Sequence, residues 1–277
     1  MRTWVNGTLL DRDAAVVSAF DHGMTVGDGA FETVKVLDGV PFALGRHLDR
    51  LARSAAGLGL AEIDKDQVRA ACAAVCAQVP VGLHRLRITY TGGVAPLGSE
   101  RGDSGPTLVV AIAPAIPAAE TTTVAVVDWP RNERGALAGL KTTSYAENVI
   151  ALAHAKNLGA SEALFADTRG RLSEGTGSNV FVVLAGELLT PALSTGCLNG
   201  ITRQLLLEWS GAREAELPLA VLDDAEELFL TSSLRDVQAV AQIVGSRHAR
   251  RLPGSSGPVT REAAAQFAKH SAEDPEP

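Results

Sequence analysis

Lys141 stands in the run Leu140-Lys141-Thr142-Thr143-Ser144-Tyr145, and the segments downstream give it meaning. A carboxylate in a small-residue turn follows at Leu172-Ser173-Glu174-Gly175-Thr176-Gly177-Ser178-Asn179. Then come Gly200-Ile201-Thr202-Arg203 and Phe229-Leu230-Thr231-Ser232-Ser233. A lysine amine can form an imine with an aldehyde. A carboxylate can keep a pyridine nitrogen protonated, so that the ring draws electrons. Hydroxyls and the amides of a helix start can hold a phosphate. Together these are the services that pyridoxal 5'-phosphate (PLP) requires of a protein.

Each piece alone has a plain explanation. A lysine before a helix is usually solvated, a Ser-Glu-Gly turn is usually a loop, and Gly-Ile-Thr is an ordinary helix start. The order and spacing of all four set them apart. The apolar stretch Ala136-Leu137-Ala138-Gly139-Leu140 would partly bury Lys141 and lower its amine pKa. Ser232 and Ser233 follow a strand end and can donate to a phosphate, and Leu198 is placed to cover a ring face.

The elements that must position these groups alternate between strand and helix patterns. Trp4-Val5, the turn Asn6-Gly7 and Thr8-Leu9-Leu10 read as a hairpin. Phe31 to Val36 alternates as a strand, turns at Asp38-Gly39 and resumes at Val40. Leu48, Leu51, Ala55 and Leu58 recur at helical spacing, and Asp66 to Val79 reads as a second helix. Further strands are expected at Arg85–Tyr90 and Thr107–Ile112, with a polar Gly-rich loop from Gly92 to Pro106 between them. Thr122–Val127, Ala163–Ala166, Asn179–Leu184 and Leu228–Leu230 read as strands, and Tyr145–Leu158 and Thr260–Ala272 as helices. The charged end beyond is expected to fray.

The chain has 277 residues, is 46% hydrophobic and carries a formal charge of −7. It can bury a core, and its acidity opposes nucleic-acid binding, which needs basic surface. No apolar run approaches the ~20 residues of a membrane span. Met1-Arg2-Thr3-Trp4 turns polar at once, so no signal peptide is read and a cytoplasmic protein is expected. Cys72 and Cys76 share a helix face. With no second pair and no nearby histidine they read as packed core, and no metal site is expected.

Taken together, Gly27-Asp28-Gly29-Ala30-Phe31-Glu32, His47-Leu48-Asp49-Arg50-Leu51, Lys141, the Glu174 to Phe181 segment, Gly200 to Arg203 and Glu227 to Ser233 resemble the class IV aminotransferases. These are the fold-type-IV PLP enzymes, which include branched-chain and D-amino-acid aminotransferases and 4-amino-4-deoxychorismate lyase. The resemblance covers nearly the whole chain. It implies an α/β (α+β) protein of two domains. Residues 1–113 would form a smaller N-terminal α/β domain and 114–120 a linker. Residues 121–277 would form a larger PLP-binding domain with a mixed sheet or barrel-like core. It implies a homodimer whose Gly92–Pro106 loop closes the partner's pocket, and a cofactor at the domain interface.

The resemblance also assigns residues. Lys141 matches the Schiff-base lysine and Glu174 the pyridine-nitrogen partner. Arg50 matches the phosphate arginine, Ile201 and Thr202 the phosphate cup, and Ser233 its other hydroxyl position. Leu198 matches the ring-packing residue, and Tyr145 is placed near the phenolic oxygen. Phe31, Leu97 and Ser99 stand where the D-amino-acid enzymes carry a Tyr, Arg and His carboxylate trap. Phe31 and Leu97 cannot hold a carboxylate, which speaks against that specificity, and Arg101 is the nearby substitute. Glu32 looks like the aminotransferases, where the lyases tend to carry threonine.

The first functional reading is a PLP-dependent transfer of an amino group between an amino acid or amine and a 2-oxo acid. The alternative is the lyase, yielding 4-aminobenzoate and pyruvate in folate synthesis. A PLP-binding protein without turnover is the third.

Overall fold

The computed structural model describes residues 2–252 and 256–277. The chain forms two compact units. The first takes Met1–Pro117, Leu140–Tyr145 and Asp274–Pro277, and the second takes Ala118–Gly139 and Ala146–Glu273. A single cut within 114–120 does not describe this division, because two later segments pack into the first unit. Lys141 lies in one of them.

The first unit is built on a six-stranded antiparallel sheet. Its elements are β1 (Arg2–Val5), β2 (Thr8–Asp11), α1 (His22–Thr25), β3 (Gly29–Leu37), β4 (Val40–Pro41), α2 (Leu44–Gly57), α3 (Lys65–Cys76), β5 (Leu83–Thr91) and β6 (Thr107–Pro114). The strand order is β2-β1-β6-β5-β3-β4. The β1–β2 turn places Asn6 at φ 41° and Gly7 at φ 98°, two positive angles that suit a two-residue hairpin and explain the Asn-Gly pair.

Strand alternation sorts the residues of β3 and β5. Ala30, Val34, Val36, Leu86, Ile88 and Tyr90 join the core with Leu44, Leu48, Leu51, Val68, Cys72 and Val75 of the two helices. Phe31, Arg87 and Thr89 project from the other face, as period-2 alternation requires. Cys72 and Cys76 are buried thiols inside that core. Burial pushes Cys76 up to about 11. Among the described residues no cluster could hold a metal ion.

Residues 274–277 do not fray. Glu276 accepts from Leu44 N at 2.9 Å and Gly45 N at 2.5 Å, the first amides of α2. Pro275 O accepts from Ala43 N, and Pro277 O from Arg46 Nε. The reason is local. Ala43 is left-handed (φ 52°, ψ 38°) and offers no side-chain cap, so α2 begins with donors that Glu276 satisfies.

The second unit carries β7 (Thr121–Val126), α4 (Ala146–Asn157), β8 (Glu162–Ala166), β9 (Leu172–Gly175), β10 (Asn179–Leu184), β11 (Glu187–Pro191), α5 (Ile201–Trp209), β12 (Arg213–Ala215), α6 (Val221–Asp224), β13 (Glu227–Ser232), β14 (Asp236–Val244), β15 (Arg250–Arg251) and α7 (Pro258–Glu273). Its mixed sheet runs β12-β11-β10-β13-β14-β7-β8-β9, with β15 on β14. β7 pairs in parallel with both β14 and β8. The sheet curls so that β9, at one end, comes back against β10. This is the mixed α/β architecture with a barrel-like sheet expected above. No described helix is long and apolar enough to cross a membrane.

Candidate active site

Lys141 is fixed to β3 through its backbone. Its carbonyl accepts from Phe31 N at 3.0 Å, and its amide donates to Ser54 Oγ at 3.1 Å. Thr142 bridges to Ala30, and Thr143 N donates to Gly29 O. The lysine's ammonium lies 4.3 Å from the centre of the Phe31 ring. The Arg87 guanidinium lies 3.3 Å from the same centre. Tyr145 meets that ring edge-on at 5.3 Å. Phe31, Lys141 and Tyr145, read separately from the sequence, are thus brought together in the first unit.

Arg87 was not singled out in the sequence. The signal was available: Arg85, Arg87 and Thr89 alternate on β5 opposite the apolar face, and an arginine on a strand flanked by core residues is a candidate for a pocket. Burial lowers its pKa to about 10, against the pull of Tyr145 and Glu32. It remains a cation at neutral pH.

Arg50 sits with His47 and Ser54 on the buried face of α2, at i, i+3 and i+7 spacing. It donates Nε to Glu32 Oε1 at 2.8 Å and Nη2 to Glu32 Oε2 at 2.7 Å. His47 Nδ1 lies 2.7 Å from Glu32 Oε2. Burial opposes charge on Glu32, but Arg50 and His47 outweigh it and hold the carboxyl well below the usual range. Burial also pushes His47 down, against the upward pull of Glu32, with Arg50 and Lys141 adding to the fall. The pair is therefore Arg50 with Glu32, and His47 acts as a neutral hydrogen-bond donor. Glu32 is the counter-ion of Arg50 on the helix side of β3, rather than a group beside Phe31.

Leu97 and Ser99 are exposed on the loop after β5, Leu97 by 74%, and they do not join the Phe31 cluster. Arg101 binds Asp28 with Nε and Nη2, each at 2.7 Å, and the carbonyls of Gly59 and Leu58. A guanidinium has five N–H donors, and these contacts use four. Little of Arg101 remains for a substrate carboxylate. The loop is further tied by His22 Nε2 at 3.0 Å from Gly98 O.

In the second unit, Glu174 on β9 is oriented by Leu198 N, which donates to Oε2 at 2.9 Å. Its other oxygen lies 3.3 Å from Arg131 Nε. The turn after it is shaped by Glu162, which accepts from Thr176 N at 3.0 Å and Ser178 Oγ at 3.0 Å. Asn148 Nδ2 donates to Thr176 O at 2.5 Å. Glu162, Arg131 and Asn148 carry no motif of their own, so sequence reading passed over them.

The start of α5 suits an anion. Gly200 is its N-cap and provides no side-chain cap, and Ile201 and Thr202 are buried there. A Cβ at Gly200 would fall 2.0 Å from Asn179 Oδ1, so a larger residue there would require that side chain to move. Thr231, two residues before Ser233, is buried with a hydroxyl that makes no hydrogen bond. Ser232 and Ser233 are half-buried at the end of β13. The second unit thus offers uncapped amides, hydroxyls and an oriented carboxylate, and the first a lysine, which are the group types that PLP requires.

The sequence model of the amino-transferase class IV family matches residues 29–243. The chain belongs to the class IV aminotransferases. The enzyme is 33% identical over 260 residues to a Methanocaldococcus jannaschii protein named as a branched-chain-amino-acid aminotransferase, covering 88% of each chain. It is 28% identical over 285 residues to the D-alanine aminotransferase of Listeria innocua, covering 95% of this chain and 93% of that one. It is 28% identical over 246 residues to the aminodeoxychorismate lyase of Bacillus subtilis, covering 84% of each. Among solved structures, a hypothetical aminotransferase of Mycobacterium tuberculosis in its PLP-bound form superimposes with a TM-score of 0.86 at 28% identity, covering 97% of this chain and 98% of that one. Enzymes of this family depend on PLP in general and act on small molecules.

Proposed function

We propose that the enzyme is a PLP-dependent aminotransferase that moves an amino group between an amino acid or amine and a 2-oxo acid. The observation that carries this reading is the Lys141 cluster. The lysine backbone is held on two sides, and its ammonium shares the Phe31 ring with a second, half-buried cation. Bound PLP would supply an electron sink for the carbon next to the substrate nitrogen.

The protein's own groups do the rest. Lys141 Nζ would hold the cofactor and would serve as the base that takes a proton from substrate. Glu174 would serve the ring nitrogen, Tyr145 the phenolic oxygen and Leu198 the ring face. Arg50, Ser232, Ser233 and the Ile201 and Thr202 end of α5 would hold the phosphate. Arg87 suits a substrate carboxylate, since a guanidinium fork matches that anion. This supplies on β5 the charge that Leu97 and Ser99 lack.

Assembly as a homodimer fits the exposed apolar side chains of this unit. Val16, Met24 and Leu97 are 76%, 72% and 74% exposed, on segments joined by the Asp21–Val94 bridge. Patches of this kind mark association surfaces.

The test is a panel of L-amino acids, D-amino acids and amines, each with the loss of cofactor absorbance as readout. If none of them changes the absorbance, the protein binds PLP without turnover and the transferase reading fails. The lyase is the second reading, favoured by the B. subtilis relative. It requires 4-aminobenzoate to form from aminodeoxychorismate with no 2-oxo acid present, and absence of that product eliminates it.

A further inference from the structure

Arg131 is held more tightly than a structural arginine needs to be. Its amide donates to Ala166 O at 2.7 Å, and it bridges to Asp167 beyond the end of β8. Its guanidinium carbon lies 4.2 Å from the centre of the Phe165 ring. Nη1 donates to Glu147 Oε2 at 2.5 Å and Asn148 Oδ1 at 3.0 Å, both on the first turn of α4. These contacts leave Nε buried without a hydrogen bond, 3.3 Å from Glu174 Oε1. The contact with Glu174 is an ion pair without hydrogen-bond alignment.

We propose that Arg131 is a positioning residue for Glu174, limiting how strongly that carboxylate holds a proton on the cofactor's ring nitrogen. This rests on the proposed function, in which Glu174 faces that nitrogen. Two physical effects act together. The cation offsets part of the carboxylate's charge, because opposite charges at this range act strongly where water is largely excluded. The ion pair also restrains the carboxylate's rotation. Leu198 N holds Oε2, Arg131 limits Oε1, and Asn148 ties Arg131 to the Thr176 carbonyl of the same turn.

Three neighbouring groups of the second unit do not supply this charge. Glu147 is an anion and faces Arg131 from α4. Cys197 is a neutral thiol, pushed up to about 11 by burial and by Glu174 itself. Arg203, on α5, is paired with Glu214 at 2.6 Å. Arg131 is a cation that the structure places 3.3 Å from Glu174.

The experiment uses the PLP-loaded enzyme and reads the pH midpoint of the bound cofactor's absorbance change, with cofactor affinity as a second readout. Removing a cation favours protonated forms, so Arg131→Met is expected to raise the midpoint by about one pH unit or more. Arg131→Lys keeps the charge and loses the fork. It is expected to leave the midpoint near wild type while weakening cofactor binding roughly tenfold, the scale seen when an orienting partner is lost. A midpoint in Arg131→Met equal to wild type overturns the inference. If Arg131→Met fails to fold, a midpoint in Arg131→Lys that moves as far as one unit overturns it instead. A wild-type protein that takes up no lysine-linked cofactor overturns the proposed function, which is a different outcome from a coloured enzyme indifferent to residue 131.

Discussion

Phe31 and Glu32 are neighbours in sequence and serve opposite faces of the same strand. Phe31 carries the Lys141 ammonium and the Arg87 guanidinium over its ring. Glu32 is sealed under α2, where both its oxygens are bound by Arg50. One strand thus supplies the floor of the lysine site and the counter-ion of the arginine proposed to hold the phosphate.

Breaking that counter-ion is expected to be costly. Glu32→Gln leaves Arg50 buried without its anion, a change worth about 3–5 kcal/mol. The pH dependence follows from two depressed values. Glu32 ionises below its ordinary 4.5 in the fold, so its contribution is complete above that pH and is lost as pH falls toward the folded value. His47, depressed from 6.5, acts in the same direction from a higher start. Wild-type stability should therefore fall on acidification below about pH 6.5, and more steeply below 4.5. Urea unfolding of wild type and Glu32→Gln across this range checks it. A stability that rises on acidification contradicts the assignment.

Lys141→Ala is expected to abolish the covalent link to PLP and to slow any proton transfer by at least ~10²–10⁴-fold, the contribution of a positioned base. Borohydride reduction followed by peptide mapping reads the link directly. A label on another lysine would remove Lys141 from its role.

Arg87→Gln should act on substrate and spare the cofactor. Losing a charged hydrogen bond of about 1.5–3 kcal/mol corresponds to roughly a ten- to hundredfold loss in kcat/KM, expressed mainly in KM for an anionic substrate. Neutral amines should lose much less. An equal loss for acids and amines would mean that Arg87 supports the Phe31 ring and reads no carboxylate.

Glu276→Ala removes the acceptor from the first amides of α2. The expected cost is about 0.5–2 kcal/mol, as for other N-caps. Hydrogen exchange at Leu44 and Gly45 should quicken while the sheet amides stay protected. Unchanged exchange at those two positions would show that water caps the helix equally well.

What could be read from the sequence was whatever repeats locally. The Asn6-Gly7 turn, the alternation of β3 and the 3.6-residue spacing of α2 are all written in short windows. Lys141, Glu174 and the start of α5 stood out because each carries a compact residue pattern. Arg131, Asn148 and Glu162 lack one. They matter through contacts to residues distant in sequence, and no local window contains both partners. The tail was misjudged for the same reason. A charged, proline-bearing end looks solvated until the unsatisfied amides of α2, some 230 positions earlier, are known. Arg101 shows the converse: it is read as a substrate ligand from its loop, while Asp28 holds it.

The route of the chain through the first unit bears on how the protein is made. The strand that meets Lys141 and the helix that receives Glu276 are both synthesised early, while their partners leave the ribosome much later. A nascent chain stopped at residue 117 would hold a sheet without Lys141 and a helix whose leading amides lack Glu276. Translation must pass residue 276 before this part of the molecule can reach its mature form.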